Sequence, residues 1–194
     1  MDENFDIPLL NNIDDALSVA NTELQSYFDL LRDENVHYAY SIKHVIIKLS
    51  TCIELLIKFR LIEEHWAFLF EDINKAKEYN LDTGNFVGVS FTRGIERLQN
   101  LCGIDTSKYF TASQQLQKYR NRIVHFTLND NFETILKTVM GAIDDIQNFI
   151  HDEIFLYIDN NDAIEDIERE LNELVSYQKD MRIIISGDEG SAFK

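Results

Sequence analysis

Along much of this 194-residue chain, apolar positions recur every three or four residues, the spacing of one helix face. Ile13, Leu17, Leu24, Phe28 and Leu31 form one such stripe and predict a first amphipathic helix. From Val36 to Phe70 there is neither Gly nor Pro. That stretch reads as a single helix of about 30 residues, about 45 Å long at the helical rise, or as one that breaks near Glu63 to His65. Residues 77–90, "KEYNLDTGNFVGVS", hold Gly84 and Gly88 among polar residues and predict a loop. A short helix follows, with Ser90 as its N-cap and Gly103 placed to end it. "TASQ" at 111–114 has the form of a capping box, Thr111 and Gln114 in the reciprocal positions, and starts the next helix. Asp130 and Glu133 mark another acidic start, leading through Ile158. Residues 161–178 form a last amphipathic pattern, and the tail from Met181 predicts a short strand with a frayed end.

The period therefore predicts an all-α fold. Residues 1–158 are expected to form a helical bundle. Residues 159–182 form a C-terminal helical extension, packed on that bundle or on a partner, and 183–194 are a tail. Neither a repeat nor a low-complexity linker interrupts it.

Composition sharpens this picture at a few points. One proline and seven glycines leave long helices uninterrupted. Cys52 and Cys102 have neither metal-site nor disulfide-framework spacing and suit a reducing compartment as small buried apolar groups. The N-terminal "MDENFDIPLL" is acidic and lacks the basic region of a signal peptide. The most apolar run, "VIIKLSTCIELLIKF", is broken by Lys48, Glu54 and Lys58, so it predicts a buried helix and no membrane span. A cytoplasmic protein is expected.

Charge changes the picture more. The net charge is −16, from 18 basic and 34 acidic residues, which opposes unspecific contact with a polyanion. Yet between Asp105 and Asp130 lie 24 residues without one Asp or Glu, where the chain's own frequency would place about four. Lys108, Lys118, Arg120 and Arg122 fall in that window, whereas residues 127–180 carry 14 acids against three basic residues. Fields are screened beyond roughly 8 Å at physiological salt, so a local basic face is compatible with an acidic molecule.

On a helix through this window, Leu116, Tyr119, Ile123 and Phe126 share the core face. Asn121 and His125 lie four apart on the opposite face, flanked by Lys118 and Arg122, with Arg120 at the border. His125 thus points away from the core that its own helix defines.

Arg120-Asn121-Arg122-Ile123-Val124-His125 is an arginine, a polar residue directly after it, and a histidine five positions on. This resembles the signature of the HEPN superfamily, small all-helical domains found in many RNA-cleaving toxins and defence proteins. "STCIELLIKFRL" upstream is similar to the family's second helix, with Glu54 and Lys58 one turn apart. The resemblance spans residues 10–155 in architecture and six residues in specific pattern. It implies a metal-independent endoribonuclease without a cofactor, in which two copies of the motif face each other across a homodimer. Arg120, Asn121 and His125 are then the catalytic group, Lys118 and Arg122 hold the RNA strand, and Glu54 supports the site. RNA brings its own nucleophile, the 2′-hydroxyl, so neither Ser nor Cys is required. An imidazole exchanges protons near neutral pH, and a guanidinium stabilises added charge on phosphorus. The implied products carry a 2′,3′-cyclic phosphate and a 5′-hydroxyl. The resemblance also implies a toxin, defence or stress-response setting with an antitoxin or defence-system protein as partner. One departure concerns that partner. Toxins silenced by a nucleotidyltransferase carry a tyrosine two residues after the histidine, where this chain has Thr127.

Other constellations carry less. Glu63-Glu64-His65 and His151-Asp152-Glu153 are consecutive residues that cannot share a helix face, so neither predicts a metal site. His37 and His44 stand two turns apart, too far for one ion. Gly84 and Gly88 form no phosphate cradle, and the acids from Asp144 to Glu173 read as a solvated face. Glu54, inside an apolar run, requires a partner or titrates upward, and a buried pair with a Lys or Arg is as good a reading as a place near the site. Two further readings stay open beside the nuclease. One is a catalytically silent HEPN-like module that binds a nucleotide, RNA or a protein. The other is a helical interaction protein in which Arg120 bridges to an acidic helix.

Overall fold

The computed structural model describes residues 8–31 and 39–186. Val36, His37, most of the acidic N-terminal segment and the tail beyond Ser186 lie outside the described residues. Within them the fold is all-α, with seven α-helices: α1 (Leu9–Leu31), α2 (Ala39–Glu64), α3 (Glu78–Thr83), α4 (Phe91–Asn100), α5 (Thr111–His125), α6 (Phe132–Phe149) and α7 (Asn161–Ser186). β pairing among the described residues is limited to an isolated antiparallel bridge between Phe70 and Gly88. No helix among the described residues is long and apolar enough to cross a membrane.

α2 is the central element. It packs along α1 and also meets α4, α5 and α6, while α7 covers α1 and α6. Its apolar residues surround it on most sides, as burial between several neighbours requires. Ile13, Leu17 and Leu24 of α1, and Leu49, Ile53 and Leu56 of α2, are fully or almost fully buried. α7 adds Ile167, Leu171, Leu174 and Met181 to the same core, so the C-terminal extension packs on the bundle itself. The predicted strand from Met181 is instead the last turns of α7 up to Ser186, with Met181 buried. Met181 packs into the bundle core, and among the described residues no strand stands to pair with this segment.

The long Gly- and Pro-free stretch breaks at its C-terminal end. α2 stops at Glu64, and His65 adopts extended backbone while its Nδ1 accepts the Ala67 N–H at 3.1 Å. That cap starts a short 3-10 turn over Trp66–Leu69. Arg97 of α4 holds the segment that follows by donating to the carbonyls of Phe68, Phe70 and Glu71, at 2.6, 2.6 and 2.9 Å. The predicted loop at 77–90 contains α3 before Gly84 turns the chain. Ser90 stands at the N-cap of α4 without a side-chain cap bond, and its N–H donates to Glu71 at 2.8 Å. Gly103, at a φ of +72°, turns the chain so that the Ile104 N–H reaches the Leu98 carbonyl.

The start of α5 also differs from its expected capping box. Thr111 makes no cap bond; its hydroxyl donates to the Ser107 carbonyl at 3.4 Å. The free N–H of the first turn is satisfied from α6 instead. Asp145 Oδ2 accepts both the Ser113 N–H and the Ser113 hydroxyl at 2.8 Å. Burial pushes the Asp145 carboxyl above its ordinary value, against the bonds from Ser113 that pull it down. One turn before Asp145, Gly141 admits the first turn of α5: a Cβ there would lie 2.7 Å from the Ala112 Cβ.

Replacing Asp145 by Ala is expected to lower the unfolding free energy by about 2 kcal/mol, because a buried N–H and hydroxyl lose their acceptor. Thr111→Ala is expected to change it by less than about 0.5 kcal/mol. Urea unfolding of the two variants checks this, and equal losses would return the cap to Thr111.

Candidate functional site

α5 presents two unlike faces because two neighbours pin it. Leu116 and Tyr119 are buried against the core, and Ile123 is half-buried. Phe126, expected on that stripe, is instead 88% exposed. The helix ends at His125, and Phe126 takes φ −154° and ψ −111°, so the helical period no longer sets its direction. Beyond it the Tyr119 hydroxyl donates to Asp130 at 2.9 Å, and Asp130 also accepts the Asn131 N–H at 2.8 Å. Both bonds, the Tyr119 one foremost, hold the Asp130 carboxyl below its ordinary value of 3.8.

On the outer face, Lys118, Asn121, Arg122 and His125 are all exposed, and Arg120 is half-buried. Asn121 and His125 are separated by about 40° around the axis, as their spacing requires, whereas Arg120 and His125 are about 140° apart. The Arg120 side chain narrows that gap by donating from Nη1 to Asn121 Oδ1 at 3.1 Å. Asn121 therefore meets the guanidinium, and its amide makes no bond to the imidazole. Arg122 donates from Nη2 to the Asn129 carbonyl at 3.3 Å, tying the loop after α5 back to its last turn. Among the described residues, no ion pair involves Lys118, Arg120 or Arg122. Arg120 does not bridge to an acidic helix there. The acid-free window thus leaves Lys118, Arg120 and Arg122 without an ion pair among those residues, whereas Lys108 pairs with Asp152.

Glu54 finds its partner in an amide, and neither Lys nor Arg serves. Gln117 Nε2 donates to Glu54 Oε1 at 2.6 Å, while the Ser50 hydroxyl donates to Gln117 Oε1. The three side chains rivet α2 to α5 one turn before Asn121. Gln117 was absent from the sequence-based candidates; the only hint was a polar residue between Leu116 and Tyr119, next to the stripe.

Two clefts flank this helix. One, of about 560 Å³, is apolar at Tyr40, Ile123, Phe126 and Phe132, and lies beside the His125 end. The other, of about 340 Å³, runs between α4 and α5 and is lined by Phe91, Glu96, Gln114, Lys118 and Asn121. The remaining histidine motifs have structural partners. His65 caps a turn, and Asp152 pairs with Lys108 at 2.5 Å. Among the described residues, no three His, Cys, Asp or Glu side chains are placed to hold a metal ion. Cys52 is buried and its thiol is pushed well up by burial, while Cys102 is half-buried.

Compared with protein-family models, curated proteins and solved structures, the chain matches none.

Because its folded-state pKa is lowered, Asp130 contributes stability that is present above the unfolded value and lost as pH falls through the folded one. Carboxyl NMR titration should therefore place its midpoint below 3.8. Tyr119→Phe should raise that midpoint toward the ordinary value; an unchanged midpoint would remove Tyr119 as the principal cause.

Proposed function

We propose that this chain is a HEPN-type, metal-independent endoribonuclease that works as a homodimer in bacterial defence, toxin action or stress response. The observation that carries the reading is the outer face of α5. In a strongly acidic molecule, Lys118, Asn121, Arg122 and His125 stand exposed along one helix, and among the described residues no carboxylate forms an ion pair with Lys118 or Arg122. Phosphodiesters are bound by such faces.

In this reading the 2′-hydroxyl attacks the adjacent phosphorus and the 5′-oxygen departs. This leaves a 2′,3′-cyclic phosphate and a 5′-hydroxyl. His125 takes the proton of the 2′-hydroxyl or delivers one to the leaving oxygen, a role suited to an imidazole. Arg120 stabilises the charge that builds on the phosphoryl oxygens. Asn121, bonded to Arg120, holds the guanidinium toward the His125 face. Lys118 and Arg122 bind neighbouring phosphates. Glu54 supports the site indirectly by holding Gln117.

The angle between Arg120 and His125 on one helix favours a site completed by a second copy. Val124 and Phe126, 50% and 88% exposed beside His125, offer the apolar contact for it. If the chain stays monomeric, the same separation favours the silent RNA- or nucleotide-binding module. Without a tyrosine two residues after His125, an antitoxin or other partner protein would act on this site by covering it.

Incubation with RNA in EDTA tests the proposal. The parent should cleave, and His125→Ala and Arg120→Ala should each lose about 100-fold or more. Mixing and re-annealing those two variants should restore about a quarter of the parent rate, since half the dimers then hold one intact composite site. Equal inertness of parent and variants overturns the nuclease. Cleavage without restoration on mixing overturns the shared site.

A further inference from the structure

The cleft between α4 and α5 has a chemistry that the scissile-bond residues leave unused. α4 contributes Phe91, Ile95 and Glu96; α5 contributes Gln114, Gln117, Lys118 and Asn121. Those α5 positions follow the i, i+3, i+4, i+7 spacing of one helix stripe. The next position on the stripe is His125, one turn or about 6 Å beyond Asn121. The cleft therefore lies on the same stripe of α5, one turn from His125.

We infer that this cleft binds one unstacked RNA base, and that it selects a base carrying an exocyclic amine over uracil. The inference rests on the RNA reading of α5 and names the specificity of that site. Four features support it. At about 340 Å³ the cleft falls at the small end of ligand sites, with room for a flat ring. Phe91, half-buried, and Ile95, buried, supply apolar surface for the face of the ring, as single-stranded RNA recognition requires. Gln114 and Glu96 are exposed, and neither side chain has a hydrogen-bond or ion-pair partner among the described residues. Lys118, equally unpaired, is placed for the phosphate of the same nucleotide.

The direction of selectivity follows from hydrogen-bonding capacity. A carboxylate only accepts, so Glu96 accepts a hydrogen bond from the amine of adenine, cytosine or guanine. Uracil has only its N3–H to donate, and the O2 and O4 lone pairs on either side of it repel the carboxylate. Gln114 presents both a donor and an acceptor, and so completes the pairing with an edge where an amine adjoins a ring acceptor.

The test uses the whole 194-residue chain. RNA binding is read by fluorescence anisotropy with labelled 12-mers of A, C and U in a His125→Ala background, and cleavage is read with the parent. A and C oligomers should bind about tenfold more tightly than U. Glu96→Gln, an exposed change that leaves the fold intact, should reduce that ratio to about threefold or less, because an amide can also donate to O4. Gln114→Ala should weaken A and C binding about fivefold with little effect on U. Equal affinity for all three oligomers, or a ratio untouched by both variants, overturns the inference. If the parent still cleaves in that case, the nuclease reading stands alone. Base-selective binding lost in the variants, with a parent that does not cleave, keeps the cleft and removes the nuclease. A chain that binds none of the oligomers overturns both.

Discussion

α5 can show a polar, cationic face to solvent only because its other sides are held by both neighbours. Leu116 and Tyr119 bury against the core, but apolar contact alone does not stop a helix from rotating or sliding. The directional part comes from two polar anchors. Asp145 of α6 grips the first turn at Ser113, and Gln117 is clamped between Ser50 and Glu54 of α2. Hydrogen bonds of this kind are worth little net, yet leaving one partner buried and unmade is expensive. They therefore set the azimuth of α5, and with it the direction in which Asn121 and His125 point.

The same anchoring explains how cationic charge survives in a molecule of net charge −16. The carboxylates nearest α5 are spent on donors of their own. Asp145 takes Ser113, Asp130 takes Tyr119 and Asn131, and Glu54 takes Gln117. None of them reaches Lys118 or Arg120, so those side chains keep their charge available for an anion. Arg120 spends one donor on Asn121, which turns it across the helix and leaves its remaining donors for a ligand. Glu96 is the exception, an unpaired acid in the adjoining cleft, and that position gives it a selective use.

Helix boundaries were legible wherever the cause was local. The stripe from Ile13 to Phe28 is buried as its spacing demands, and Asp130 and Glu133 do flank the start of α6. Local reasoning failed where a remote group intervened or where the helix itself ended. Thr111 has the sequence of a cap but yields to Asp145, 32 residues away from the Ser113 that it holds. Phe126 fits the stripe by number, but the period ceases one residue before it. Met181 to Ser186 read as a strand from their branched residues, yet remain helical because Met181 packs into the bundle.

The amino-acid sequence by itself determined the all-α class, the segregation of charge and the exposure of His125. Each follows from composition and from a period that every residue carries locally. Tertiary structure alone decided that Glu54 meets Gln117, 63 positions on, that Asp145 caps α5, and that α4 and α5 enclose a cleft. Periodicity says which face of a helix is covered and is silent on what covers it, because that depends on packing among segments whose separation along the chain carries no register.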